Sequence, residues 1–480
     1  MRIARRIRNE DATIMNTNHT EPRRDAQVAR LPDPLPSREA HTKLGAQLPA
    51  APRSLEETGL SMTFVAGLVL KSTLMLGRPS YGDLVERHCL SLAVLDDVFA
   101  FLVREHLVEL THRGATDLDV TFRLTDAGRV LALEERSRSG YSGPAPVTLD
   151  AYIACLDAHS VRKLRISQNE VWAAFEGIVI DTSLLDAAAA ALNAGRPLLI
   201  HGPAGSGKTF LAERLGSLMR GRVPVPHAIC AAGEVIQIYD PLVHVDAGGP
   251  SGGLSVDRRW RLCQRPVVMS GGELTLDELD LRRDEAAGFY QAPPHMKANL
   301  GMYVVDDLGR QRVEPRDLLN RWLRPLDRGV DLLTLESGNR FVMPFDVWPV
   351  FSSNLSPEQL GDDAFLRRLG SKLHVGAMSI DDYRAVYNAA CASLGLVSAS
   401  DAFDYLLHRL HLPTGKAFLA CFPADLLRLV AAGARYRGDP PEVTHDALYD
   451  AWASYFGTVP ERDGSHPPPV ERGGRTYVTG

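Results

Sequence analysis

No apolar run in these 480 residues approaches the 18–20 that cross a bilayer, and even the stretch from Leu60 to Leu76 is broken by Ser61, Lys71 and Ser72. Cysteine is sparse. The six present (Cys89, Cys155, Cys230, Cys263, Cys391 and Cys421) lie far apart, with no Cys-x-x-Cys pair and no histidine at zinc-ligand spacing. That argues against a disulfide scaffold or a structural zinc site and fits thiols in a reducing cytoplasm. An excess of charge of one sign is also missing: 53 Lys and Arg face 59 Asp and Glu, a net of −6, too near neutral to name a nucleic-acid or membrane partner. The basic start MRIARRIR runs into Asn9-Glu10-Asp11 and not into an apolar stretch, so it does not read as a secretory signal; Met15 is an alternative initiator. What is there is ordinary globular usage, 45% hydrophobic and 23% charged, in a chain long enough for about three domains.

Composition divides the chain. Residues 1–53 mix ten basic and six acidic side chains with six prolines and read as a disordered leader; residues 457–480, with Pro467-Pro468-Pro469, read as a disordered tail. Between them we expect a first domain over 54–137, a linker and helix over 138–170, an α/β core over 171–376 and a helical region over 377–456. In the first domain a long apolar helix ends at Gly77, a short helix covers 81–88, and a third covers 92–105 with Leu92, Leu95, Val98, Phe99 and Leu102 on one face. Two short strands flank Arg113-Gly114-Ala115, and Thr125-Asp126-Ala127-Gly128-Arg129 opens a closing helix.

This order resembles the winged helix-turn-helix family, whose third helix usually enters the DNA major groove. The charges argue otherwise here. Residues 56–136 carry eight basic and thirteen acidic side chains, and the third helix exposes Asp96, Asp97 and Glu105. Phosphate attraction supplies most non-specific DNA affinity, so this head suits a protein partner better than DNA.

The chemistry-bearing pattern begins at Leu198-Leu199-Ile200, a short apolar strand that leads into Gly202-Pro203-Ala204-Gly205-Ser206-Gly207-Lys208-Thr209 and a helix opening at Phe210. Strand, glycine-rich loop and helix in that order form a P-loop. Glycines let backbone N–H groups converge on phosphates, the helix N-terminus adds its dipole, Lys208 reaches the terminal phosphates and the Thr209 hydroxyl suits Mg²⁺. A second strand, Met302-Tyr303-Val304-Val305, ends in Asp306 and Asp307, assigned to the metal and to the attacking water respectively. A third, Pro349 to Ser353, ends in Asn354, and Arg367-Arg368 follows.

P-loop, Asp-Asp strand, Asn-ended strand, paired arginines and a helical C-terminal region in this order resemble the AAA+ ATPases over about residues 171–456. The resemblance implies an α/β P-loop NTPase core with a parallel sheet and flanking helices, an all-helical lid, ATP and Mg²⁺ as cofactors, and a homo-oligomeric ring, often a hexamer. It also implies that Asn354 acts as a sensor of the γ-phosphate and that Arg367 or Arg368, with Arg368 preferred, reaches a neighbouring subunit's nucleotide. Many relatives carry Glu where this chain has Asp307, although Asp-Asp occurs in replication initiators and helicase loaders. The lid arginine of the family is replaced by Ala424, with Arg428 one turn later as a substitute. No Gly-Ala-Phe-Thr-Gly-Ala loop is present, which argues against a sigma-type activator. The run Asp306–Gln311 with Leu318–Trp322 resembles a bacterial group of ATPases that carry an N-terminal winged helix.

Two further features have two readings each. Arg258-Arg259-Trp260-Arg261 and Phe289-Tyr290 suit either a substrate-gripping pore loop or core packing, and Arg310, Arg312, Arg316, Arg321, Arg324 and Arg328 suit a charged subunit interface or a trans-acting arginine. The expected activity is ATP hydrolysis that remodels a macromolecular partner. The alternatives are a DNA-associated ATPase or regulator and a nucleotide-gated switch of low turnover.

Overall fold

The computed structural model describes residues 48–248, 255–361 and 363–458, so the leader expected over 1–53 and the tail expected from 457 lie almost wholly outside the described residues. Among the described residues no helix is long and apolar enough to cross a membrane.

The N-terminal body consists of helices Met62–Leu76, Tyr81–His88 and Leu92–Arg104, an antiparallel pair of strands Val108–His112 and Thr121–Leu124, and helix Asp126–Arg138. Side chains fix where these helices start: Ser61, Ser91 and Thr125 each accept a backbone N–H from the first turn, and Ser80 forms a reciprocal capping box with Asp83. The third helix turns Leu95, Val98, Phe99 and Leu102 inward, where Phe99 stacks on Phe122 and meets Tyr81 edge-on. Its outward face carries the exposed Asp96 and Asp97. Gly128 is demanded by packing, because a Cβ there would overlap the carbonyl of Leu107.

Residues 138–148 differ from the expected linker. Tyr141 and Ala145 are buried, Arg87 and His88 bond to the carbonyls of Ser142 and Gly143, and Gly140 donates to Ala287. Val147–Thr148 then forms the edge strand of a sheet with Ala228–Ala231, Glu234–Gln237, Phe289–Gln291 and Arg282–Asp284. The Ser/Gly/Pro composition that reads as a linker is here backbone held by side chains, a distinction composition cannot carry.

The α/β core is a five-stranded sheet whose strands we label β1 (Leu198–His201), β2 (Val267–Ser270), β3 (Met302–Val305), β4 (Trp348–Ser353) and β5 (Ser371–His374). All neighbours are parallel, in the order β5-β1-β4-β3-β2. Alternation along each strand serves two cores: Leu198, Ile200, Met302 and Val304 pack on one face, and Leu199, Tyr303, Val305 and Phe351 on the other. Every residue of β4 is buried, as expected of a strand covered on both faces.

Between the P-loop helix and β3 the chain builds more strand than the sequence suggests. Arg222–Pro226 pairs with Trp260–Gln264, and hairpin Val330–Thr334/Arg340–Pro344 lies beyond β3. Trp260 and Tyr290 are interior to this inserted region, at 4% and 2% exposure, so the pore-loop reading of these two aromatics is overturned in favour of core packing. Arg259 is buried too, in a paired contact with Asp257, and its guanidinium also donates to the carbonyls of Thr58 and Pro146 in the N-terminal body.

The C-terminal region runs through helices Ile380–Leu394, Cys421–Arg437 and His445–Phe456 around Tyr383, Tyr387 and Trp452. It is not wholly helical: Val397–Ser398 pairs with Glu442–Val443 in a short parallel bridge, and Leu406–His411 is a π-helical turn.

Candidate functional site

Parallel order β5-β1-β4-β3-β2 creates a switch point between β1 and β4, since the chain leaves β1 toward one edge of the sheet and leaves β4 toward the other. Ligands of open α/β sheets bind in the crevice outside the carboxyl ends of such strands. The residues that follow β1, β3 and β4 meet there.

After β1 the backbone takes left-handed values at Gly205 (φ +83°) and Gly207 (φ +97°), the latter capping the helix Lys208–Gly216, which we label α1. Lys208 is 5% exposed, and its ammonium donates to the Pro203 carbonyl and to Asn354 Oδ1, both at 2.8 Å. Burial lowers its pKa, opposed by the charges of Asp307 and Asp306. Thr209 donates its hydroxyl to the Asp306 carboxylate at 2.9 Å. Asn354 closes the set, its Nδ2 donating to Asp307 Oδ1 at 3.1 Å. One amide therefore joins the lysine of one strand end to the carboxylate of another.

Donor chemistry here fits a magnesium nucleotide. Thr209 and Asp306 offer a hydroxyl and a carboxylate, the hard oxygens that Mg²⁺ takes while keeping several waters. Ser206 Oγ is buried in the loop without a hydrogen-bond partner. Among the described residues no group of three or more His, Cys, Asp or Glu could hold a metal ion by itself. Of the remaining loop residues, Gly202 and Gly205 lie in the turn, Pro203 and Ala204 are exposed, and Phe210 projects outward at 52% exposure.

The arginines distribute differently from the preference stated for them. Arg368 makes a two-pronged pair with Asp327 of its own chain, at 2.6 Å on both arms, while Arg367 is exposed and makes no ion pair among the described residues. Both lie in the turn that follows the short helix Asp363–Leu366, and Asp327 takes one of the two. Within the second basic run, Arg321 is engaged inside its own chain: it bonds to the buried Asp331 and to Asp280. Arg428, expected as a substitute for an arginine at Ala424, pairs with Asp425 on its own helix and is 67% exposed.

Two contributors were missed by sequence reasoning. Leu419, Ala420 and Cys421 of the C-terminal region lie against the P-loop: Cys421 N donates to Gly205 O, and a Cβ on Gly205 would come within 2.5 Å of the Cys421 sulfur. Gln311 grips the turn that carries Asp307. Nothing in composition or spacing marks either, although Gln311 closes the quoted run Asp306–Gln311.

Comparison with known proteins adds little length of match. A family model described as a domain of unknown function (DUF8689) matches residues 379–454. No curated protein matches the chain. Among solved structures the chain is similar to NtrX from Brucella abortus in complex with ADP, at 15% identity and a TM-score of 0.37 over 70% of this chain and 62% of that one. It is also similar to the RuvB Holliday junction branch migration motor of Thermotoga maritima, at 13% identity and a TM-score of 0.33 over 61% of this chain and 72% of that one. The chain thus spans less than two thirds of the NtrX chain it matches.

Proposed function

We propose that the chain is an ATPase of AAA+ type, working as a homo-oligomeric ring, that hydrolyses ATP to remodel a macromolecular partner, protein rather than DNA. The observation that carries the reading is the convergence of Lys208, Asn354 and Asp307 at three strand ends, with Thr209 and Asp306 beside them. P-loop amides and Lys208 would bind the phosphates, and Thr209 with Asp306 would hold Mg²⁺, which supplies charge neutralisation when bound. Asp307 and Asn354 would orient the attacking water, and Arg367 of a neighbouring subunit would add positive charge at the phosphate undergoing transfer. The winged-helix-like N-terminal body, with Asp96 and Asp97 exposed on its third helix, supports a protein partner.

A switch of low turnover is the second reading, favoured by the pairing of Arg428 within its own helix and the absence of an arginine at position 424. The two separate on kinetics. Lys208→Ala should reduce ATP affinity by at least a hundredfold, and unchanged affinity would remove the site assignment. Asp307→Asn should retain ATP, lower kcat by at least a hundredfold and trap a partner for recovery by pull-down. Turnover equal to wild type in that variant would remove its catalytic role, and a wild-type kcat that stays below about one per hour with ATP bound would favour the switch.

A further inference from the structure

Asp307 is one of only five non-glycine residues with positive φ among the described residues, at +50°. That conformation costs an L-residue roughly 1–2 kcal/mol and persists only where the surroundings over-determine it. Here they do so from two sides. On the β4 side, Leu308 N donates to Ser352 O at 2.7 Å and Ser353 Oγ donates to Leu308 O at 2.6 Å. On the β2 side, one side chain does the holding. Gln311, only 9% exposed, accepts from Gly309 N at 2.8 Å and donates to Asp306 O at 3.0 Å and to Gly271 O at 3.1 Å. Both hydrogens of its amide and its oxygen are used, and they span the ends of β3 and β2.

We infer that Gln311 is a positioning residue for hydrolysis, holding the Asp306–Gln311 turn in the shape that points the Asp307 carboxylate at Asn354. This deepens the ATPase reading and rests on it. Asp306 has a separate anchor, because its own N–H bonds to Ser270 O at 2.8 Å. The P-loop makes no contact with Gln311 through the hydrogen bonds described. Loss of the glutamine amide should therefore release Asp307 toward ordinary negative φ, turning its carboxylate away from Asn354, while leaving the nucleotide-binding residues in place. The expected signature is a fall in kcat without a matching fall in affinity.

The experiment measures kcat, KM and ATP affinity for wild type, Gln311→Ala and Gln311→Glu. Gln311→Ala should lower kcat at least tenfold with affinity within threefold of wild type. Gln311→Glu separates positioning from space-filling: it keeps the size and shape of the side chain and can accept from Gly309 N, but it cannot make both donations, to Asp306 O and to Gly271 O. Its kcat should also fall at least tenfold, with affinity again within threefold of wild type. A kcat for Gln311→Ala within twofold of wild type would overturn the inference while leaving the ATPase reading intact, as would parallel loss of affinity or a wild-type kcat in Gln311→Glu. Wild-type protein without Lys208-dependent hydrolysis would overturn both, and that control identifies which has failed.

Discussion

Two neighbouring arginines have opposite fates at the level of single residues. The forked contact of Arg368 with Asp327 is partly exposed, so it serves local shape more than stability. Arg367 is the one left facing outward. If a ring places it at a neighbour's nucleotide, subunits should complement one another. Neither Lys208→Ala nor Arg367→Ala should turn over ATP alone at more than a tenth of the wild-type rate. Mixed, an Arg367→Ala subunit offers an intact P-loop and its Lys208→Ala neighbour offers the arginine, so activity should reappear. A mixture as inactive as its parts would remove Arg367 from the site. Sequence reasoning could name the pair and not the member, because the deciding partner lies 41 positions away.

Elements explain what else was legible. The P-loop, its strand and its helix could be read because glycine placement and a four-residue apolar strand are local signals, and the Asp-Asp and Asn ends of β3 and β4 follow from the same strand logic. Hidden from the sequence was anything fixed by strands meeting in space: the left-handed Asp307, the reach of Gln311, and the inserted strands that bury Trp260. The helices also carry buried histidines. His88 ends helix Tyr81–His88 with its Nδ1–H on Gly143 O at 2.9 Å and its Nε2 without a partner; His411 shares a 2.6 Å hydrogen bond with Tyr383. Burial pushes both imidazoles down to about 4. Unfolded histidine takes a proton near 6.5 and the folded groups do not until about 4, so the unfolded state binds more protons in between. Stability is therefore full above pH 6.5 and falls as pH drops toward 4, by about 2 kcal/mol per histidine at pH 5. Thermal melts should show Tm falling from pH 7 to pH 5, less steeply in His88→Asn, whose amide keeps the bond to Gly143. A Tm independent of pH over that window would contradict the assignment.

Across the whole molecule, the N-terminal body is built into the inserted region and not tethered to it. Ala228 and Val235 belong to the same core as Leu68 and Phe99, and the Arg259–Asp257 pair is sealed at the junction, 5% and 3% exposed. Removing one partner of a buried pair strands the other charge and costs about 3–5 kcal/mol. Asp257→Asn should accordingly lower Tm by several degrees and speed hydrogen exchange both around Thr58 and around Val147. Exchange that accelerates on one side only would mean that the two regions unfold independently.

The strand Val147–Thr148 carries a consequence of another kind. It caps one edge of the inserted sheet, so a shortened chain begun beyond it would leave Ala228–Ala231 with a bare row of amides and carbonyls. Exposed edges of that sort recruit strands from other copies. The segment through Thr148 thus shields the inserted sheet from other copies, and an isolated fragment of the α/β core would be prone to self-association through an edge that is otherwise covered.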